Sequence, residues 1–150
     1  MTSPRADLLA ALDEARIAST TNAVDPATAA PLLLRILLAA SGTAEVTDGL
    51  RDVAPSRALL RVTDASAAIE FQAGEGRLHA EAADVTGKGP KVDATAATWL
   101  GLLGGTLKPW LAFTRGLVVC RAGLTELRWM QTVAERLQRG YLAARDSGES

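Results

Sequence analysis

Cysteine and histidine are almost absent from this chain, with only Cys120 and His79 in 150 residues. A single cysteine excludes an internal disulfide and removes one mark of secretion. One histidine and one cysteine also exclude the His/Cys ligand sets of ordinary zinc and iron–sulfur sites. No cluster of Asp and Glu has ligand-like spacing, so neither a metal nor another cofactor is expected. An excess of one charge is lacking too: 16 basic and 17 acidic residues leave a formal charge of -1. No strong field is therefore expected to steer nucleic acid, and nucleic acid is not an expected partner. Lysine occurs only at positions 88, 91 and 108, so arginine carries most basic charge. With its abundant alanine, this composition is of the kind associated with GC-rich bacterial genomes. Long apolar runs are missing: residues 32–40 are interrupted by Arg35 and too short to span a bilayer. Asp7, Asp13 and Glu14 precede any long apolar stretch, unlike a signal peptide. The expected location is the cytoplasm, with at most transient membrane contact.

What is present is the material of a globular domain, 48% hydrophobic and 22% charged. The pattern predicts one domain over residues 1–144 and a flexible tail over 145–150. Ser3–Pro4 is a cap and first helical residue, and Leu8, Leu12 and Ala15 set a helical stripe ending near Ala18. Residues 19–24 read as a connection. Asp25–Pro26 repeats the start signal for a helix to Ala40, with Gly42 near its stop and Pro31 either its true first turn or a kink. Residues 43–57 are mixed, although Val46, Leu50 and Val53 allow a short helical turn or two. The period then changes to two. Strands are predicted at 58–63, 67–73, 77–82, 91–94 and 117–121, the first three forming an antiparallel meander with one dry face. Helices are predicted at 95–103 and 110–114, and a long one from about 124 to 144 carries Leu127, Met130, Ala134, Leu137 and Tyr141 on one stripe. The class is α+β.

Polar chemistry offers little. The glycines at 74, 76, 87 and 89 lack the spacing of a dinucleotide or phosphate-binding loop and read as turn residues. His79 is the only side chain whose ordinary pKa lies near neutrality, but it shares a strand face with Arg77 and Glu81 that reads as solvated. Cys120, within an apolar strand, reads as a small buried hydrophobe. Asp93 precedes a helix and reads as a turn or cap residue.

The distinctive feature is apolar. Residues 99–113 hold Trp99, Trp110 and Phe113 with five leucines, on short pieces divided by Gly104, Gly105 and Pro109. Either these side chains fill a solid core, or the short helices line a cavity beneath the last helix. The run GTLKPWLAFTRG, residues 105–116, resembles the sterol carrier protein 2 (SCP2) family. Gly105, Pro109, Ala112, Phe113 and Gly116 match its Gly, Pro, Ala-Phe pair and strand-opening Gly. The likeness covers about residues 33–142. Residues 117–119 depart from the family's basic, alternating strand, and the region before about residue 30, together with 43–57, looks additional.

The resemblance implies an SCP2-like fold, a short, mostly antiparallel five-stranded sheet with flanking helices and an apolar tunnel. It implies non-catalytic binding or transfer of a small apolar ligand of the sterol, fatty acid or acyl-CoA type. The ligand-binding residues it implies are Ile69 and Phe71 from the sheet, Leu102, Leu103, Leu107, Trp110 and Phe113 from the short helices, and Met130 and Val133 from the last helix. Two alternatives stand beside it. One is an enzyme acting on a steroid- or polyketide-like substrate, which requires His79, Asp93 or Glu70 to point into the cavity. The other is an interaction module, with residues 32–38 and the last helix forming a homodimer face.

Overall fold

The computed structural model describes residues 3–21, 24–121 and 123–148. Helix α1 (Pro4–Thr20) starts where Ser3 Oγ accepts from the Ala6 amide at 3.1 Å. It runs two residues beyond the expected end, and the Thr20 and Thr21 hydroxyls donate back to the carbonyls of Arg16 and Ile17 at 2.9 and 2.6 Å. Residues 22 and 23 of the expected connection lie outside the described residues. Helix α2 (Pro26–Ser41) is capped by Asp25, whose carboxylate accepts from Ala27 N at 3.1 Å, so Pro31 sits inside the helix rather than at its start.

Arg35, the lone charge in the apolar run, crosses to α1 and binds Asp7 and Glu14 at 3.2 and 2.5 Å. Leu33, Ile36 and Leu37 are buried within this chain's own core, which leaves Leu38 half exposed. Leu32 and Leu34 are partly buried against that core. The stretch beyond α2 resolves into helix α3 (Ala44–Asp48) and tight turns, with Val46, Leu50 and Val53 all buried.

Five strands form the sheet: β1 (Ser56–Val62), β2 (Ala67–Gly74), β3 (Arg77–Ala83), β4 (Lys91–Ala94) and β5 (Val119–Arg121). Their order is β3-β2-β1-β4-β5, antiparallel except for the β1–β4 pair. The β2–β3 hairpin turns through Glu75 and Gly76, both at positive φ. Registers Ala58↔Phe71, Leu60↔Ile69 and Leu60↔Val92 put these apolar side chains on one buried face. On the opposite face His79 and Glu81 are exposed, their side chains 3.9 Å apart.

Strand β5 is two residues shorter than expected. The Leu117 and Val118 amides bond the Ala112 carbonyl at 2.9 and 3.4 Å, closing the preceding helix rather than extending the sheet. That helix is α5 (Pro109–Thr114), and it follows α4 (Ala96–Gly104), which Thr95 caps through Thr98 N at 3.3 Å. The last helix, α6 (Leu124–Gly148), runs four residues past the expected end. Arg145, within that extension, bonds Asp13 of α1 at 3.1 Å, while residues 149 and 150 lie outside the described residues. Helix α6 is pinned to the turns after α3: Arg136 bonds Asp52 at 2.6 and 3.1 Å, and the Trp129 indole bonds the Ala54 carbonyl at 2.8 Å. Among the described residues, no helix is long and apolar enough to cross a membrane.

Candidate functional site

Between the buried sheet face and the helices lies a small, partly open apolar cavity of about 50 Å³. Leu60 and Phe71 form its floor, Leu33 and Leu37 of α2 one side, and Trp99, Leu102, Leu103 and Pro109 of α4 and α5 another. Helix α6 covers it with Met130, Val133, Ala134, Leu137, Gln138 and Tyr141, which recur every three or four residues. The α4 residues face inward because a helix of nine residues, mostly apolar, lies between α1, α2 and α6 and is nearly all buried. The Trp99 indole N–H, a group that needs a partner when buried, donates to the Arg61 carbonyl at 2.9 Å.

Of the residues expected to bind ligand, the structure brings Phe71, Leu102, Leu103, Met130 and Val133 together around this cavity. Ile69, Leu107, Trp110 and Phe113 lie outside its lining. Ile69 is buried elsewhere in the core, whereas Leu107 and Phe113 are half-buried against it. Trp110 is 52% exposed, because α5 buries Pro109 and Ala112 and leaves the second residue of the helix facing water. Leu33, Leu37, Leu60, Trp99, Pro109, Ala134, Leu137, Gln138 and Tyr141 complete the lining. For those on helices the signal was the helical stripe, and for Leu60 the apolar strand, which mark burial without saying what the buried face surrounds.

Two polar side chains interrupt the apolar wall. The Gln138 amide donates to the Leu102 and Leu107 carbonyls at 2.7 and 3.1 Å, tying the α4–α5 connection to α6. The Tyr141 hydroxyl is buried and has no hydrogen-bond partner among the described residues. Burial pushes its pKa above the ordinary phenol range, so it stays a neutral donor.

The candidate acid–base groups sit elsewhere. Glu70 and His79 lie outside the cavity lining, and His79 is exposed on the outer sheet face. Asp93 is not a cap: Thr95 and Asp64 serve the start of α4, the latter through Ala96 N at 2.8 Å. It is instead a buried carboxylate held by Arg61 Nε and Nη2 at 2.5 and 2.6 Å and by Arg121 Nε at 2.7 Å. The Arg61 hydrogen bonds lead in holding its pKa below the usual carboxylate range, against burial. It therefore clamps β1, β4 and β5. Cys120 is half-buried, and burial pushes its thiol up, away from the reactive thiolate.

No protein-family model matches the chain. No curated protein matches its sequence. Solved structures do match its fold. Sterol carrier protein 2 aligns with a TM-score of 0.50 at 20% identity, over 65% of this chain and 91% of that one. The stereoselective inverting sec-alkylsulfatase Pisa1 from Pseudomonas sp. aligns with a TM-score of 0.50 at 15% identity, over 75% of this chain but only 16% of the sulfatase.

Proposed function

Proceeding from an SCP2-like fold, we propose that this chain binds a small apolar or amphiphilic molecule between its sheet and helices and carries it unchanged. The observation that bears the most weight is the cavity, lined by side chains of α2, α4, α5, α6 and the sheet and almost wholly apolar. Removing about 300–400 Å² of apolar ligand surface from water contributes roughly 7–10 kcal/mol, before the costs of association. Few polar contacts are needed for such binding. The enzyme alternative required His79, Asp93 or Glu70 at the cavity, and none of the three lines it.

The volume of about 50 Å³ holds only a small fragment of such a ligand, since pockets for drug-sized molecules run to roughly 300–1,000 Å³. Uptake therefore requires the lining to part. Met130, unbranched and able to repack, and the α4–α5 connection held by Gln138 are the parts most able to move. Empty apolar space is costly, so a cavity that shrinks without ligand is the lower free-energy state.

The test is tryptophan fluorescence titrated with long-chain alcohols, fatty acids and sterols, alongside native mass spectrometry of untreated protein. Saturable change in the wild-type spectrum, lost when Trp99 is replaced by Phe, is the expected result. A flat titration with every ligand, together with no retained lipid, would overturn the proposal.

A further inference from the structure

Exposed apolar side chains are unevenly spread over the described residues. Seven large hydrophobic residues stand in solvent, and four of them, Trp110, Leu117, Val119 and Leu124, fall in one short stretch. Trp110 lies on α5, and Leu124 opens α6. Bonds from the Leu117 and Val118 amides to the Ala112 carbonyl fold the intervening turn back, which keeps Leu117 beside α5. Val119 and Arg121 share one face of β5, in register with Asp93 and Lys91. Leu124 and the exposed Arg128, four residues apart, share a face of α6. None of these residues lines the apolar cavity.

The same stretch lacks negative charge. Residues 94–125 contain no Asp or Glu but hold Lys108, Arg115 and Arg121, in a chain whose formal charge is -1. The acids that flank the stretch are withdrawn, since Asp93 is buried and Glu126 half-buried. The Lys108 and Arg115 side chains are exposed, with no hydrogen-bond or ion-pair partner among the described residues. Arg121 bonds Asp93 at 2.7 Å, yet its side chain stays 62% exposed. Arg61 shares that carboxylate, so the three groups keep a net positive charge. We infer that this end of the molecule docks reversibly on an anionic lipid surface. Trp110, Leu117, Val119 and Leu124 enter the headgroup region, and Lys108 and Arg115 face the lipid phosphates. An indole suits that boundary because its ring is apolar and its N–H polar. Each basic residue near such a surface raises partitioning about fivefold. One exposed aromatic among three aliphatic residues is poor material for stacking nucleic-acid bases. The three-residue edge strand is likewise a short template for a second copy to extend. The inference does not rest on what the cavity holds.

Cosedimentation with large unilamellar vesicles tests it, using phosphatidylcholine alone or mixed with about 30% phosphatidylglycerol. The wild-type chain should bind the anionic vesicles about twentyfold more tightly at about 0.05 M salt and lose most of that preference at about 0.5 M, a readout that needs no variant. Tryptophan emission should move to the blue on the anionic vesicles. That move should vanish in Trp110→Phe, because the Trp99 and Trp129 indoles already donate to carbonyls within the fold. Lys108→Gln combined with Arg115→Gln should cut the preference to about threefold. Leu117→Ser combined with Leu124→Ser should weaken binding to the anionic vesicles about tenfold. Circular dichroism melts establish that each variant is folded. No binding to either vesicle at low salt, equal binding to both, or binding that survives both pairs of substitutions overturns the proposal. Retention of single-stranded RNA in place of vesicles would overturn it as well, by giving this face to a different anion.

Discussion

Asp93 illustrates how far a residue's role depends on what the fold brings to it. It sits on β4 in register with Arg61 of the parallel neighbour, and Arg121 reaches it from β5. Asp93→Ala would leave Arg61, itself largely covered, without its carboxylate. The expected loss of stability is about 3 kcal/mol, read from urea unfolding, and a loss no larger than an ordinary surface substitution would refute the clamp. The pH dependence has a fixed sign. Because the folded carboxyl is held below its unfolded value of about 3.9, its contribution is fully present above that value and disappears as pH falls through the folded one. Asp52 and Asp84 are lowered as well, by the Arg136 hydrogen bond and by Thr86 respectively. The diagnostic is therefore the difference: urea midpoints of wild type should fall more steeply below about pH 5 than those of Asp93→Asn. Tyr141 predicts the reverse of the usual mutational outcome. Its hydroxyl is buried without a partner, so Tyr141→Phe should stabilise the ligand-free chain by about 1 kcal/mol. A clear drop in melting temperature would mean that the hydroxyl is satisfied after all.

At the scale of elements, the contact between α3 and α6 is decided by one missing side chain. A Cβ on Gly140 would come within 2.9 Å of Val46 Cα, a backbone atom that cannot swing aside. Glycine-to-alanine changes in a helix interior usually stabilise by about 1 kcal/mol. Here overpacking, typically about 1–3 kcal/mol, opposes and exceeds that gain. Gly140→Ala should therefore lower the melting temperature, and a rise would show that the two helices stand further apart. The α4–α5 connection is held differently, by two bonds from the Gln138 amide and by the Thr106 and Leu107 amides on the Gly101 carbonyl. Gln138→Leu keeps the bulk and removes the amide. Amide exchange at Thr106 and Leu107 should then accelerate about tenfold, since local opening loses roughly one to two hydrogen bonds. Unchanged exchange would mean that Gln138 does not restrain this segment.

Across the whole molecule, the legible parts are those written in short-range pattern. Alternation in β2 and β3 set their dry and wet faces, and the three- and four-residue stripe of α6 marked Met130, Leu137 and Tyr141 for burial. The parallel β1–β4 pairing was not legible, because a long-range partner leaves no local trace. Asp93 was misread for the same reason, its arginine partners lying 32 and 28 residues away. Trp110 was placed in the tunnel by the family resemblance, yet the burial of Pro109 and Ala112 turns it outward. What pattern could not supply was volume, and volume governs the kinetics of the proposed function. A cavity of about 50 Å³ cannot admit an acyl chain without prior opening. If opening precedes binding, the observed rate of tryptophan change should level off at high ligand concentration, at the opening rate, on the microsecond-to-second scale of lid motions. Loosening the connection with Gln138→Leu should raise that plateau. A rate that climbs linearly with ligand to the diffusion-limited range, with no difference between the two chains, would show that the ligand never waits for this wall to part.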